Sequence, residues 1–258
     1  DRTQRLLKND LYPALGNRSI SQITAPELLM ALRKVEARGA IEIAHRAKQT
    51  AGMVFRYAVA TGRAERDPSA DLKGALQPKN RKHLASITDP AQVGKLLVAI
   101  DAFQGTPIVK TALQLSPLLF QRPGEIRAME WAEINWDAEQ WEIPADKMKM
   151  RQPHIVPLCT QAMDLLKELH RLTGRGRYVF PSARGASRPL SENGVRVALR
   201  TMGYDNQTMT PHGFRAMART ILDEVLNYRV DWIEHQLAHA VKDANGRAYN
   251  RTAHLPQR

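Results

Sequence analysis

Ile134-Asn135-Trp136-Asp137-Ala138-Glu139-Gln140-Trp141-Glu142-Ile143 is the stretch at which this chain changes its period. Before it, apolar residues recur every three or four positions. Within it, Ile134-Asn135-Trp136 and Trp141-Glu142-Ile143 alternate, and His154-Ile155-Val156 follows as a third short β-like run. Turn material separates the three, which predicts a small antiparallel sheet. The surroundings read as helix. Upstream, helices start at Thr88-Asp89-Pro90 and near Thr106-Pro107, the second carrying Val109, Ala112, Leu113, Leu115 and Leu118. Downstream, helices are expected at about 160–172, 191–202, 212–226 and 230–239. The fold class is therefore mainly α (α+β), with a small three-stranded antiparallel sheet in the larger of two domains.

The front of the chain is helical throughout. In Thr24-Ala25-Pro26-Glu27, Thr24 caps, Pro26 is tolerated in the first turn and Glu27 completes a capping box. The helix runs through Leu28, Leu29, Leu32 and Val35 to Gly39. A second begins near Ile41 and continues through Ala44, Ala47, Ala51, Val54, Phe55 and Ala58 to Gly62, with Arg46, Lys48 and Arg56 on its other faces. Periodicity is lost over Leu76–Ser86, where Pro78 and the basic residues Lys79, Arg81, Lys82 and His83 mark a linker. The domain reading is 1–78, a linker at 79–87, and 88–258, without internal repeats.

Charge points to a class of partner. The 258 residues carry 38 Lys and Arg against 26 Asp and Glu, a net charge of +12. Residues 1–82 hold 16 basic and 8 acidic side chains, hence +8 of that excess. A basic segment this apolar is not a disordered tail and reads as an electrostatic footprint for nucleic acid, with a merely basic surface as the alternative. No apolar run approaches a membrane span, and the start carries no signal-peptide core and no initiator Met, so a fragment or processed chain is expected. The single cysteine, Cys159, forms no internal disulfide and fits a reducing, cytoplasmic setting.

Four clusters carry the chemistry. In Gln121-Arg122-Pro123-Gly124-Glu125-Ile126-Arg127, Arg122 sits at the positive end of a helix, which an anion would satisfy; a simple pair with Glu125 explains it equally well. Lys147-Met148-Lys149-Met150-Arg151 lies between two predicted strands, where a Lys can reach into a groove or protonate a leaving oxygen, though such turns are ordinarily just solvated. In Thr210-Pro211-His212-Gly213-Phe214-Arg215, His212 and Arg215 share one helix face and call for an anionic third party, with a structural His as the rival. The fourth is Glu234-His235-Gln236-Leu237-Ala238-His239, followed by Arg247-Ala248-Tyr249-Asn250-Arg251. His235 and His239 lack the carboxylate or cysteine company of a metal site. Most tyrosines are core aromatics and that remains the rival for Tyr249, though its flanking Arg247 and Arg251 make a buried apolar setting less natural.

Taken together and in order, these segments closely resemble the phage-integrase family of tyrosine recombinases, particularly the integrases of prophages and genomic islands. The matching stretches are Arg122-Pro-Gly-Glu125, Met-Lys149-Met-Arg-Gln-Pro-His-Ile-Val-Pro-Leu158, His212-Gly-Phe-Arg215, Gln-Leu-Ala-His239 and Ala-Tyr249-Asn-Arg251. The resemblance implies a helical core-binding domain and a mostly helical catalytic domain that clamp DNA. It implies that Tyr249 attacks a phosphodiester to give a 3′-phosphotyrosine, with no nucleotide cofactor and no metal. Arg122 and Arg215 would grip the non-bridging oxygens, and Lys149, rather than Lys147, would protonate the departing 5′-oxygen. His212 would manage the tyrosyl proton, His239 would bond the phosphate, and Glu125 would orient a neighbour. Arg46, Lys48, Arg56, Lys79, Arg81 and Lys82 are the candidate DNA contacts.

The implied partners are double-stranded DNA at an attachment-site core, further copies forming a homotetramer on two sites, and accessory bending or excision factors; no membrane is involved. Related integrases carry an additional N-terminal domain for arm-type sites and a longer tail beyond the tyrosine, so this chain reads as a fragment lacking the former. Three rivals remain: a DNA-binding regulator without catalysis, a topoisomerase of type IB chemistry, and a metal-dependent nuclease. The last is disfavoured by the missing carboxylate cluster.

Overall fold

The computed structural model describes residues 2–79, 84–239 and 255. The chain divides into two compact units, Asp1–Lys82 and His83–Arg258.

The first unit is helical. Short helices α1 (Arg2–Leu6) and α2 (Tyr12–Leu15) flank a π-helical turn at Leu7–Leu11. They precede α3 (Ala25–Ala37) and α4 (Ile41–Ala60). The Glu27 carboxylate accepts from both the backbone N–H and the hydroxyl of Thr24, each at 2.9 Å, at the start of α3. Gly39 (φ 75°) and Gly62 (φ 69°) take the left-handed conformation that ends α3 and α4. Leu28, Leu32 and Val35 of α3 meet Ala44, Ala47, Ala51 and Phe55 of α4, and the small residues of α4 let the two helices approach closely. Leu72 and Leu76 belong to the same core. Gln77, just before the expected linker, remains tied down: its N–H reaches Glu36 at 2.7 Å and its carbonyl meets His45 at 2.8 Å.

The second unit begins with α5 (Pro90–Ala102) and α6 (Pro107–Leu119), capped by Asp89 and Thr106. Then come α7 (Pro123–Arg127) and the strands β1 (Ile134–Asn135), β2 (Gln140–Ile143) and β3 (His154–Pro157). The sheet is antiparallel in the order β1-β2-β3, with Ile134 opposite Trp141, Trp141 opposite Val156, and Ile143 opposite His154. Alternation buries Trp141 and Ile143 while Glu142 stays exposed, the two-residue period read from the sequence. After α8 (Thr160–Thr173) comes a second, two-stranded sheet, β4 (Pro181–Ser182) and β5 (Gly185–Pro189), which the sequence reading did not foresee. Ser182-Ala183-Arg184-Gly185 has little apolar content to flag it, and Gly185 (φ 144°) makes the reversal.

The last helices are α9 (Gly194–Thr201), α10 (Gly213–Thr220) and α11 (Val230–Gln236). The helix expected over 212–226 is α-helical only to Thr220 and continues as a π-helical turn at Ile221–Val225. The helix expected over 230–239 stops at Gln236, because Ala238 (φ 49°) reverses the chain. One core spans α6, the three-stranded sheet and α8 around Trp141 and Phe180; another joins α5, α9 and α10 around Leu96, Leu199 and Phe214. Ala85 and Ser86, within the expected linker, bond to this unit: Ala85 accepts from Thr210, and Ser86 Oγ donates to Gly213 O at 2.8 Å.

Candidate active site

Two chain reversals without glycine build the site. α6 ends at Phe120, with φ at 57°, and α11 is followed by Ala238, with φ at 49°. A side chain in this region costs roughly 1–2 kcal/mol per residue, so both turns need outside support. Side-chain donors provide it. Arg215, on the first turn of α10, gives Nη1 to Phe120 O at 2.7 Å and Nη2 to Leu237 O at 2.5 Å. Gln121 Nε2 donates to Gln236 O at 2.6 Å, and Gln236 Nε2 to Leu119 O at 3.1 Å. Arg122 Nη2 reaches Ala238 O at 3.4 Å. The turn before α7 and the turn after α11 are thus joined by the arginines and two buried glutamines.

The second reversal has a further consequence. Ala238 N–H bonds His235 O at 3.0 Å and His239 N–H bonds Glu234 O at 2.9 Å, the paired bonds of a Schellman turn. This swings His239 back beside the helix end, where Nε2 lies 2.9 Å from Arg215 Nη2 and Nδ1 lies 2.5 Å from Glu234 Oε2.

Arg122 occupies the N-cap of α7, and its pairing with Glu125 is present: Nη1 to Oε1 at 2.7 Å, with the Arg122 N–H donating to Oε2 at 2.9 Å. One nearly buried carboxylate thereby fixes both ends of Arg122 and serves the helix start. His212 is the N-cap of α10, three residues before Arg215. Desolvation, followed by the charges of Arg215, Arg122, His239 and Lys149, pushes its imidazole below the ordinary value. The residue keeps an exposed edge, and the crowd of cations is its distinctive feature. Arg215 is only 4% exposed. Burial, then the neighbouring charge of Arg122, brings its guanidinium down to about 10, still charged at neutral pH.

The two lysines part company. Lys147 donates to Glu130 Oε1 at 2.5 Å, to Ala128 O at 3.1 Å and to Glu133. Glu130 also accepts from Arg177 at 2.8 Å, and that bond, against desolvation and with help from Lys147, holds its carboxyl below the usual range. Lys149 is exposed on the connection between β2 and β3, and its charge bears on His212.

The structure thus brings Arg122, Glu125, His212, Arg215 and His239 together, with Lys149 close enough to act on His212. Tyr249 lies outside the described residues. Among the six candidate DNA contacts, Arg81 and Lys82 also lie outside them. Arg46 and Lys79 share Glu42, at 3.3 and 3.2 Å. Lys48 donates to Leu72 O at 2.6 Å and Arg56 pairs with Asp67 at 3.2 Å, and both line a cleft of about 360 Å³ on the first unit. Sequence reasoning gave no role to Glu234, Gln121 and Gln236; all three stand inside the quoted segments, but only the fold shows what they touch.

Chemically, the site is a cluster of fixed cations and imidazoles whose carboxylates, Glu125 and Glu234, are already engaged by Arg122, His239 and Arg219. Among the described residues, no group of three or more His, Cys, Asp and Glu side chains could hold a metal ion, and no helix is long and apolar enough to cross a membrane. Such a cluster suits an oxyanion with several free oxygens.

Comparison with known proteins agrees in fold and in sequence. Residues 1–75 match the phage integrase central domain and residues 87–254 the phage integrase family. The chain is 34% identical over 271 residues to the putative protein IntB of Escherichia coli strain K12, covering all of this chain and 68% of that one. It is 35% identical to the integrase of Enterobacteria phage P4, again over its whole length and 62% of the relative. It therefore spans about two thirds of the curated relatives it matches. In fold it is similar to a lambda integrase dimer solved bound to a COC′ core site, with TM-score 0.71 and 19% identity over 93% of this chain and 87% of that one. The chain belongs to the phage integrase family.

Proposed function

We propose that this chain is the DNA-cleaving part of a site-specific recombinase that integrates and excises a mobile element through a 3′-phosphotyrosine. Tyr249 attacks the scissile phosphorus; the P–O bond to the 5′-oxygen breaks as the Tyr–O–P bond forms, and Lys149 hands a proton to the departing oxygen. Because the phosphoester is conserved, religation reverses the step without a nucleotide cofactor. Arg122 and Arg215 take the non-bridging oxygens, whose charge grows in the transition state, and His239 adds a hydrogen bond. His212, its proton affinity lowered by desolvation and then by its cationic neighbours, accepts the tyrosyl proton. Residues 88–258 form the catalytic domain, residues 1–78 the core-type DNA-binding domain, and 79–87 the linker. Arg46, Lys48, Arg56, Lys79, Arg81 and Lys82 face the duplex, in a homotetramer on two attachment cores, aided by bending or excision factors, at the nucleoid in the cytoplasm.

The observation that carries this reading is the buried Arg215, bonded to two carbonyls and to His239 and crowded by Arg122 and His212. A cation is rarely buried without an anionic partner, and a phosphate supplies one. The test mixes the chain with a nicked suicide duplex bearing its attachment core, in EDTA, and resolves products on a denaturing gel. A covalent protein–DNA band that disappears in Tyr249→Phe is expected. Tight binding without any band would favour a non-catalytic regulator, and a band that persists in Tyr249→Phe would place the nucleophile elsewhere.

A further inference from the structure

Glu234 stands on the last turn of α11, and both its oxygens are committed. Oε1 accepts from Arg219 Nε at 2.7 Å and Oε2 meets His239 Nδ1 at 2.5 Å. Arg219 is in turn held by Asp223. An ionised carboxylate only accepts, so this contact assigns the Nδ1 hydrogen to His239 and leaves Nε2 with its lone pair. That lone pair lies 2.9 Å from Arg215 Nη2, which donates to it. An imidazolium would set two donors against each other there, and the Nδ1–H tautomer is the form that fits both contacts. A ring in that state offers a phosphate oxygen nothing: to bond one, Nε2 must gain a proton.

The surroundings oppose that gain. Arg215 and His212 at the start of α10, Arg122 before α7 and Lys149 between β2 and β3 are cationic or basic, and Glu125 is occupied by Arg122. Glu234 is the anion in direct contact with the ring, and its backbone carbonyl also holds the His239 N–H at 2.9 Å. Residue and ring are thus tied twice, by the Schellman turn and by the carboxylate.

We propose that Glu234 is a positioning residue for strand cleavage: it holds His239 in the Nδ1–H tautomer and stabilises the imidazolium formed when a phosphate oxygen displaces Arg215 from Nε2. Nε2 takes up one proton from hydronium or a protonated buffer in solvent, leaving water or the buffer base, and then donates a hydrogen bond to the phosphate. This rests on the function proposed above, and Arg219 supports it by keeping the carboxylate in place.

Two measurements test it on the full chain. The first is ¹⁵N NMR of the His239 ring, which needs no DNA: the Nδ1–H tautomer is expected in the wild type, and its loss in Glu234→Ala. An Nε2–H ring in the wild type, or an unchanged tautomer in Glu234→Ala, overturns the proposal. The second is covalent-adduct formation with the suicide duplex across pH. Glu234→Gln, which keeps a neutral acceptor, is expected to slow cleavage about ten- to a hundredfold, as loss of an outer partner does elsewhere. Its rate should also begin to fall at a lower pH than that of the wild type. In a His239→Asn background the same change should alter the rate by no more than about twofold, since the pair acts as a unit. Equal losses in both backgrounds mean Glu234 serves the fold alone and overturn the proposal. Should the wild type form no adduct, the recombinase reading falls while the NMR result still decides the pairing of Glu234 with His239.

Discussion

Lys147 donates to Glu130 at 2.5 Å, a carboxylate that also accepts from Arg177. Two residues on, Lys149 is exposed. The bond to Glu130, together with those to Glu133 and Ala128, makes Lys147 a structural cation that satisfies two poorly solvated carboxylates. Glu133 in turn accepts the indole N–H of the buried Trp141 at 2.9 Å. Lys147→Ala should therefore cost about 3 kcal/mol of stability, the consequence of leaving buried charge unpaired. Lys149→Ala should leave stability within about 0.5 kcal/mol and slow adduct formation by about 10²–10⁴-fold. Denaturant titration paired with the suicide-substrate assay reads both, and the opposite pattern would make Lys147 the acid.

Ala238 performs a turn that glycine performs with less strain. Ala238→Gly should stabilise the second unit by roughly 1 kcal/mol by relieving the left-handed strain. That corresponds to a rise of about 2–4 °C in its melting temperature, read by calorimetry. The same freedom should loosen His239, so the variant is expected to be more stable and slower; a variant both more stable and faster would mean the strained turn plays no part in placing the ring.

His212 provides a pH dependence with a definite sign. Its ordinary value is 6.5 and the folded value lies lower. Between those two values the unfolded chain binds more protons than the folded one, so stability falls as pH drops through that window and levels off below the folded value. An NMR titration should find the midpoint below 6.5, raised by Arg122→Ala and by added inorganic phosphate, which offsets the cations. A midpoint at or above 6.5 would sink this account.

Arg215→Lys keeps the charge and loses the fork. One ammonium cannot serve Phe120 O, Leu237 O and a phosphate together in the planar geometry the guanidinium allows. Expected are a destabilisation of about 1–3 kcal/mol from unsatisfied carbonyls and a cleavage rate lower by about 10²–10³-fold. A lysine variant of wild-type rate would show that charge alone suffices.

By itself, the amino-acid sequence determined the helices whose apolar period is long and capped, such as α3 behind Thr24 and Glu27, and the three short strands whose alternation follows from the pleat. It also brought Arg122, His212, Arg215 and His239 forward as candidates, through the family resemblance that their order carries. Local pattern could not show that α11 stops at Gln236: nothing in Gln-Leu-Ala-His announces a left-handed alanine, and the turn persists because Arg215 and Arg122 hold the carbonyls around it. Nor could it show that Lys147 is held by Glu130 and Glu133 while Lys149 stays exposed. Tertiary structure decided these matters, and the contacts of Glu234, because each depends on hydrogen bonds between groups distant in the chain or folded back by a turn. Periodicity reports the face a residue buries; it does not report which partner waits there.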